Sequence, residues 1–89
     1  IICKYLDKIK PRSCGNSYNR LIEYVDDRPG HDFRYAVDFS KIKNTLGWKP
    51  EIKFSSGIKD TIEWYINNSD WWRKIINDKY NLERLGKKK

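Results

Sequence analysis

Ile58, Ile62, Tyr65 and Ile66 fall at i, i+4, i+7 and i+8, and at 3.6 residues per turn those positions form one continuous apolar stripe. No other feature constrains the fold as strongly, because a stripe of that width must be buried against a second element. The helix that carries it reads as Gly57 to about Asn67, begun by Ser55 or Ser56, with Lys59, Asp60 and Glu63 facing away. A second amphipathic helix is expected from Ile1 to Ile9. There Ile1, Ile2, Tyr5, Leu6 and Ile9 keep helical spacing, Lys4, Asp7 and Lys8 take the wet side, and Lys10-Pro11 is the stop. Since that spacing starts at the first position, the chain reads as a C-terminal piece of something longer.

Between these helices the pattern changes. Arg12 to Asn19 is rich in Ser, Gly and Asn and reads as a loop. Leu21 to Val25 reads as a strand and Arg34 to Val37 as a second short extended piece, with a Pro-Gly turn between them. Asp38 or Ser40 can cap a short helix over Lys41 to Leu46, which Gly47 ends in a left-handed conformation. Trp48-Lys49-Pro50 is then a rigid link whose indole is expected to plug the core. Asn67-Asn68 ends the long helix, and Ser69 or Asp70 can cap another that carries Trp71, Trp72, Ile75 and Ile76. Two adjacent tryptophans cannot share one helix face, so one of them is expected to meet a surface belonging to chain outside this sequence. The fold class is therefore α+β, a small and predominantly helical unit with one or two short strands. The domain is expected over residues 1–82, with a basic, disordered tail over 83–89.

Composition narrows the function. With 89 residues the chain is one domain or part of one. Its formal charge of +7 owes much to Arg84, Lys87, Lys88 and Lys89, and a tail of that kind is a weak argument for nucleic acid. Cys3 and Cys14 have no CxxC spacing and only one histidine to join them, so the expectation is reduced thiols in a cytoplasmic protein, with no metal site. No apolar run approaches membrane length.

The residues that stand out chemically are in the central turn, Asp26-Asp27-Arg28-Pro29-Gly30-His31-Asp32-Phe33-Arg34. Arg offers a planar fork of donors that matches phosphate oxygens and stays charged at physiological pH. Pro29 and Gly30 let the loop turn tightly, and the only histidine of the chain is next to them. This is the composition of an anion site, and it is also that of the polar turns that end strands in proteins with no ligand. The equipment of a complete enzyme is missing from the sequence. The glycines at 15, 30, 47, 57 and 86 make neither GxGxxG nor a P-loop, and no tyrosine is followed four residues on by lysine. No catalytic, cofactor-binding or metal-binding residue is assigned. Asp26 and Asp27 alternate across a strand end, which argues against a shared acid/base role.

Asp27-Arg28-Pro29-Gly30-His31-Asp32, Arg34-Tyr35-Ala36-Val37-Asp38, Leu46-Gly47-Trp48-Lys49-Pro50, Gly57-Ile58-Lys59, Thr61-Ile62-Glu63-Trp64-Tyr65 and Asn68 before Trp71-Trp72 together resemble the C-terminal region of the dTDP-glucose 4,6-dehydratase family. That family lies in the extended short-chain dehydrogenase/reductase group. The resemblance runs in register over residues 1 to 80, and His31 is its more discriminating residue, since related epimerases usually carry aspartate there. It implies an enzyme in which NAD oxidises C4 of the sugar, water leaves across C5 and C6, and the hydride returns to C6. It further implies that this region packs on a Rossmann NAD domain lying upstream, that the parent is a homodimer, and that the chain alone binds no NAD. The substrate-binding segment carried over is Asp27, Arg28, Pro29, Gly30 and His31, holding the dTDP end of the sugar nucleotide, with Arg28 on the diphosphate. Lys4 and Tyr5 depart from the family pattern, a change expected to affect only a helix surface. The alternative reading is a small basic module that binds nucleic acid or protein without catalysis.

Overall fold

A computed structural model describes residues 1–79, 81 and 82. The elements run α1 (Ile2–Ile9), a 3₁₀ helix (Tyr18–Leu21), α2 (Ser40–Leu46), α3 (Phe54–Asn67) and α4 (Ser69–Lys79). The expected basic tail over 83–89 lies outside the described residues.

The stripe on α3 organises the packing. Ile62 is 7% exposed and is the one buried residue among those described. Ile58 and Ile66, one turn to either side, are half-buried. Leu6 and Ile2 of α1 come in from one side and Trp72 of α4 from the other, leaving an open apolar groove of about 360 Å³ between them. α1 packs on α3 and on the 3₁₀ helix, and α3 packs on α4. Among the described residues, α2 touches none of the other elements. The radius of gyration is 17.8 Å, against about 12 Å for a compact domain of this length. Much apolar surface therefore remains open, and Tyr24 and Val37 are 96% and 89% exposed.

Several local expectations are corrected. The strands expected at Leu21–Val25 and Arg34–Val37 do not form: among the described residues there is no strand, and Leu21 closes the 3₁₀ helix instead. An extended segment becomes a strand only when a second one completes its hydrogen-bond ladder. Here no such partner lies alongside, so the α+β class reduces to a helical unit. The long helix begins at Phe54, earlier than Gly57, with Lys53 as its N-cap residue and no side-chain cap. Trp48 does not enter a core. It is 51% exposed and meets Phe39 edge-on, with ring centroids 6.2 Å apart.

The polar faces also work harder than periodicity indicates. Asp7 accepts hydrogen bonds from Ser17 Oγ at 2.5 Å and from the Tyr18 backbone N–H at 2.8 Å, which ties α1 to the 3₁₀ helix. Tyr5 donates its hydroxyl proton to the Glu63 carboxylate on α3, and Lys59 Nζ lies 5.6 Å from the centre of the Tyr5 ring. The departure at Tyr5 is thus part of the α1–α3 contact, and Lys59 and Glu63 border that contact. Other expectations are met. Gly47 ends α2 with φ +69°, and Asn68 closes α3, its Nδ2 donating to the Trp64 carbonyl at 2.8 Å. The adjacent tryptophans take different faces: Trp72 is half-buried and donates Nε1–H to the Tyr65 carbonyl, whereas Trp71, 55% exposed, turns edge-on to Trp64 of the same chain.

Candidate functional site

The central turn is built by its own residues. Pro29 pre-sets one dihedral, Gly30 takes φ +70°, and the His31 N–H donates to the Arg28 carbonyl at 3.3 Å. Pro followed by a left-handed Gly, closed by a bond from the fourth residue to the first, is the pattern of a type II β-turn. Asp27 fastens it from outside. A single carboxylate oxygen, Oδ1, accepts the Arg28 backbone N–H at 2.9 Å and contacts His31 Nδ1 at 2.5 Å. The His31 contact is the largest cause that holds the Asp27 carboxyl below the usual carboxylate range, with the Arg28 N–H adding to it. All of this is solvent-facing, the side chains of His31 and Asp27 being 44% and 72% exposed.

The five residues singled out from sequence, Asp27 to His31, are therefore brought together in one turn. The Arg28 side chain makes no hydrogen bond or ion pair among the described residues, and its five donors are available to a ligand. Arg34 is not drawn into this cluster by any hydrogen bond or ion pair among the described residues. Nearby, the Tyr35 hydroxyl is donated to the Asp32 carboxylate, and Asp38 accepts from the N–H of Ser40 at 3.0 Å, so Asp32 and Asp38 are engaged locally, although the N-cap of α2 is Phe39 and not the expected Asp38 or Ser40. Sequence reasoning placed Asp27 in the site but missed that it fastens His31. The available signal was the i, i+4 spacing across a Pro-Gly turn, with an aspartate just before the turn.

The site is a turn fixed by its own side chains, carrying among its carboxylates one guanidinium, that of Arg28, with no partner among the described residues, on a small helical unit with open apolar faces. The chain belongs to the GDP-mannose 4,6 dehydratase family, whose family model matches residues 3–61. It is 51% identical over 88 residues to a dTDP-glucose 4,6-dehydratase of Escherichia coli, covering 96% of this chain and 24% of that protein. The enzymes of the same name from Neisseria meningitidis and Xanthomonas campestris are each 47% identical, over 87 and 85 residues, with the same coverage. The chain thus spans about a quarter of the length of these curated relatives, 24%. No solved structure matches it significantly.

The dinucleotide that the resemblance places on an upstream domain has no cradle among the described residues. Its phosphates need glycines gathered at one strand-to-helix turn. Gly15, Gly30 and Gly47 instead stand in separate turns, and a Cβ at any of them would meet nothing within 4 Å. No helix among the described residues is long and apolar enough to cross a membrane.

Proposed function

We propose that this chain is the nucleotide-holding part of a dTDP-glucose 4,6-dehydratase. Arg28 takes the diphosphate through its guanidinium fork, Pro29 and Gly30 shape the turn that presents it, and Asp27 and His31 complete the nucleotide end of the substrate site. The single observation that carries the reading is the fastened turn: the backbone around Arg28 is fixed by Asp27 while its side chain has no partner among the described residues. Preorganised backbone with an uncommitted bidentate donor lowers the ordering cost of binding an anion. The sequence identity to proteins of that name supports the choice of ligand.

In the intact enzyme this part packs on an upstream Rossmann domain that holds NAD, and two copies associate in the cytoplasm. The exposed apolar residues of the extended segment, Tyr24 and Val37 among them, are consistent with a surface made to be covered. The part played by this chain is affinity and orientation for the sugar nucleotide. Calorimetric titration with dTDP, of the chain alone and then mixed with the upstream domain, tests this. Binding that requires the mixture and disappears in Arg28→Ala is the expected result. A folded mixture that binds no dTDP would overturn it.

A further inference from the structure

We infer that Asp27 is a positioning residue which holds His31 in the tautomer protonated at Nδ1, so that the ring presents an unprotonated Nε2 to a hydrogen-bond donor on the nucleoside. The inference rests on the nucleotide reading above and assigns to Asp27 a role distinct from contact with the ligand.

The argument begins with valence. An ionised carboxylate can only accept, so the 2.5 Å contact between Asp27 Oδ1 and His31 Nδ1 requires the proton to sit on Nδ1. In a neutral imidazole the other nitrogen then carries a lone pair, and which nitrogen is protonated is set by the bond the first one makes. Nε2 has no partner among the described residues. The geometry does not rest on that contact alone. The same Oδ1 accepts the Arg28 N–H, the His31 N–H closes on the Arg28 carbonyl, and Gly30 at φ +70° sets the sharpness of the turn. Asp27 is consequently held by two donors from opposite ends of one turn, and its contact with Nδ1 sets which ring nitrogen carries the proton.

The chemistry divides the turn in two. Arg28 is a permanent cation suited to a diphosphate, whereas the His31 ring in its neutral form, with Nε2 unprotonated, accepts from a hydroxyl or a ring N–H. A nucleoside supplies both kinds of donor, the deoxyribose 3′-hydroxyl and the N3–H of thymine. An aspartate at position 31 would likewise be an acceptor, but it would be charged and close to Asp27. An imidazole backed by a carboxylate gives an acceptor without adding that repulsion.

His31 is the only histidine of the chain, so ¹⁵N NMR of the imidazole reads it without assignment. The experiment records Nδ1 and Nε2 shifts of the full chain above the ordinary imidazole titration range, then in Asp27→Ala and Asp27→Asn, and finally with dTDP added in the presence of the upstream domain. Expected are a protonated-type Nδ1 and an unprotonated-type Nε2, reversal towards the Nε2-protonated form in Asp27→Ala, and partial recovery in Asp27→Asn, whose carbonyl can still accept. A wild-type ring protonated mainly at Nε2, or a pattern that Asp27→Ala leaves alone, would overturn the assignment. With dTDP, the Nε2 resonance should move more than Nδ1; an Nε2 that stays put while dTDP binds overturns the acceptor role. Failure to bind dTDP at all would sink the nucleotide reading and its Nε2 partner, and the tautomer measurement would still stand or fall separately. With binding in hand, analogues lacking the 3′-hydroxyl or methylated at N3 show which donor is used.

Discussion

The Asp7 carboxylate on α1 accepts the Tyr18 backbone N–H at 2.8 Å across eleven residues of chain. Through its other oxygen it also accepts from Ser17 Oγ at 2.5 Å. A side chain from one helix thereby caps the start of another, satisfying a donor that the 3₁₀ helix cannot satisfy itself. Tyr18 returns the tie by donating its hydroxyl to the Lys10 carbonyl at 2.8 Å. Asp7→Ala is expected to lower the thermal midpoint of the far-UV circular dichroism signal by a few degrees, with Asp7→Asn intermediate. A midpoint equal to wild type in both variants would mean the tie is not stabilising.

The same contact makes a pH prediction. The Ser17 hydroxyl first, then the Tyr18 N–H, hold the Asp7 carboxyl below the usual carboxylate range. For a group whose pKa is lower folded than unfolded, the unfolded chain binds the extra proton, so its stabilisation is complete above the ordinary carboxylate pKa and is lost as pH falls through the folded value. Asp27, lowered chiefly by His31, adds in the same direction. Stability should therefore decline on acidification through the carboxylate range, and Asp7→Asn should flatten that decline in an acid titration of denaturant midpoints.

Ile62, the one buried residue described, sits where α1, α3 and α4 converge. Truncation to alanine removes most of its buried surface, and Ile62→Ala should cost about 2 kcal/mol, at the low end for such a change because the surrounding groove is open. Ile62→Val should cost about 1 kcal/mol. Urea unfolding of the three proteins checks the order.

Gly47 ends α2 at φ +69°, and its N–H donates to the Lys43 carbonyl at 2.9 Å. A Cβ there would meet nothing within 4 Å, so the penalty for Gly47→Ala is purely that of a left-handed backbone, about 1 kcal/mol. Because α2 packs on no other element among the described residues, the loss should appear as faster amide exchange within Ser40–Leu46 while exchange in α3 is unchanged.

Arg28→Ala should weaken dTDP binding to the assembled enzyme about 10- to 100-fold, the loss of charge-assisted bonds worth roughly 1.5–3 kcal/mol. Arg28→Lys keeps the charge without the fork and should recover only part of the loss. The circular dichroism of both should match wild type, since the Arg28 side chain makes no hydrogen bond or ion pair among the described residues.

Much of this was legible in the residues. The i, i+4, i+7, i+8 stripe located α3 and its buried centre at Ile62, Gly47 announced its own left-handed cap, and Asp27 to His31 marked a turn with a cation on it. The Tyr5–Glu63 bond was not legible, since it joins residues 58 apart, and helical periodicity describes one helix at a time. Asp7 was read as solvated for the same reason.

The sequence by itself determined that the four α-helices form, where Pro11, Gly47 and Asn68 stop them and where the backbone turns, because spacing, proline and glycine act over a few residues, but it announced neither the 3₁₀ helix nor the start of α3 at Phe54. Only tertiary structure decided which polar side chains become ties between elements, and whether the alternating stretches at Leu21–Val25 and Arg34–Val37 become strands. A strand's hydrogen bonds are made to another strand, and among the described residues none lies beside them. A turn such as Asp27–His31 closes on its own atoms, which is why the candidate site could be read from the residues while the sheet could not.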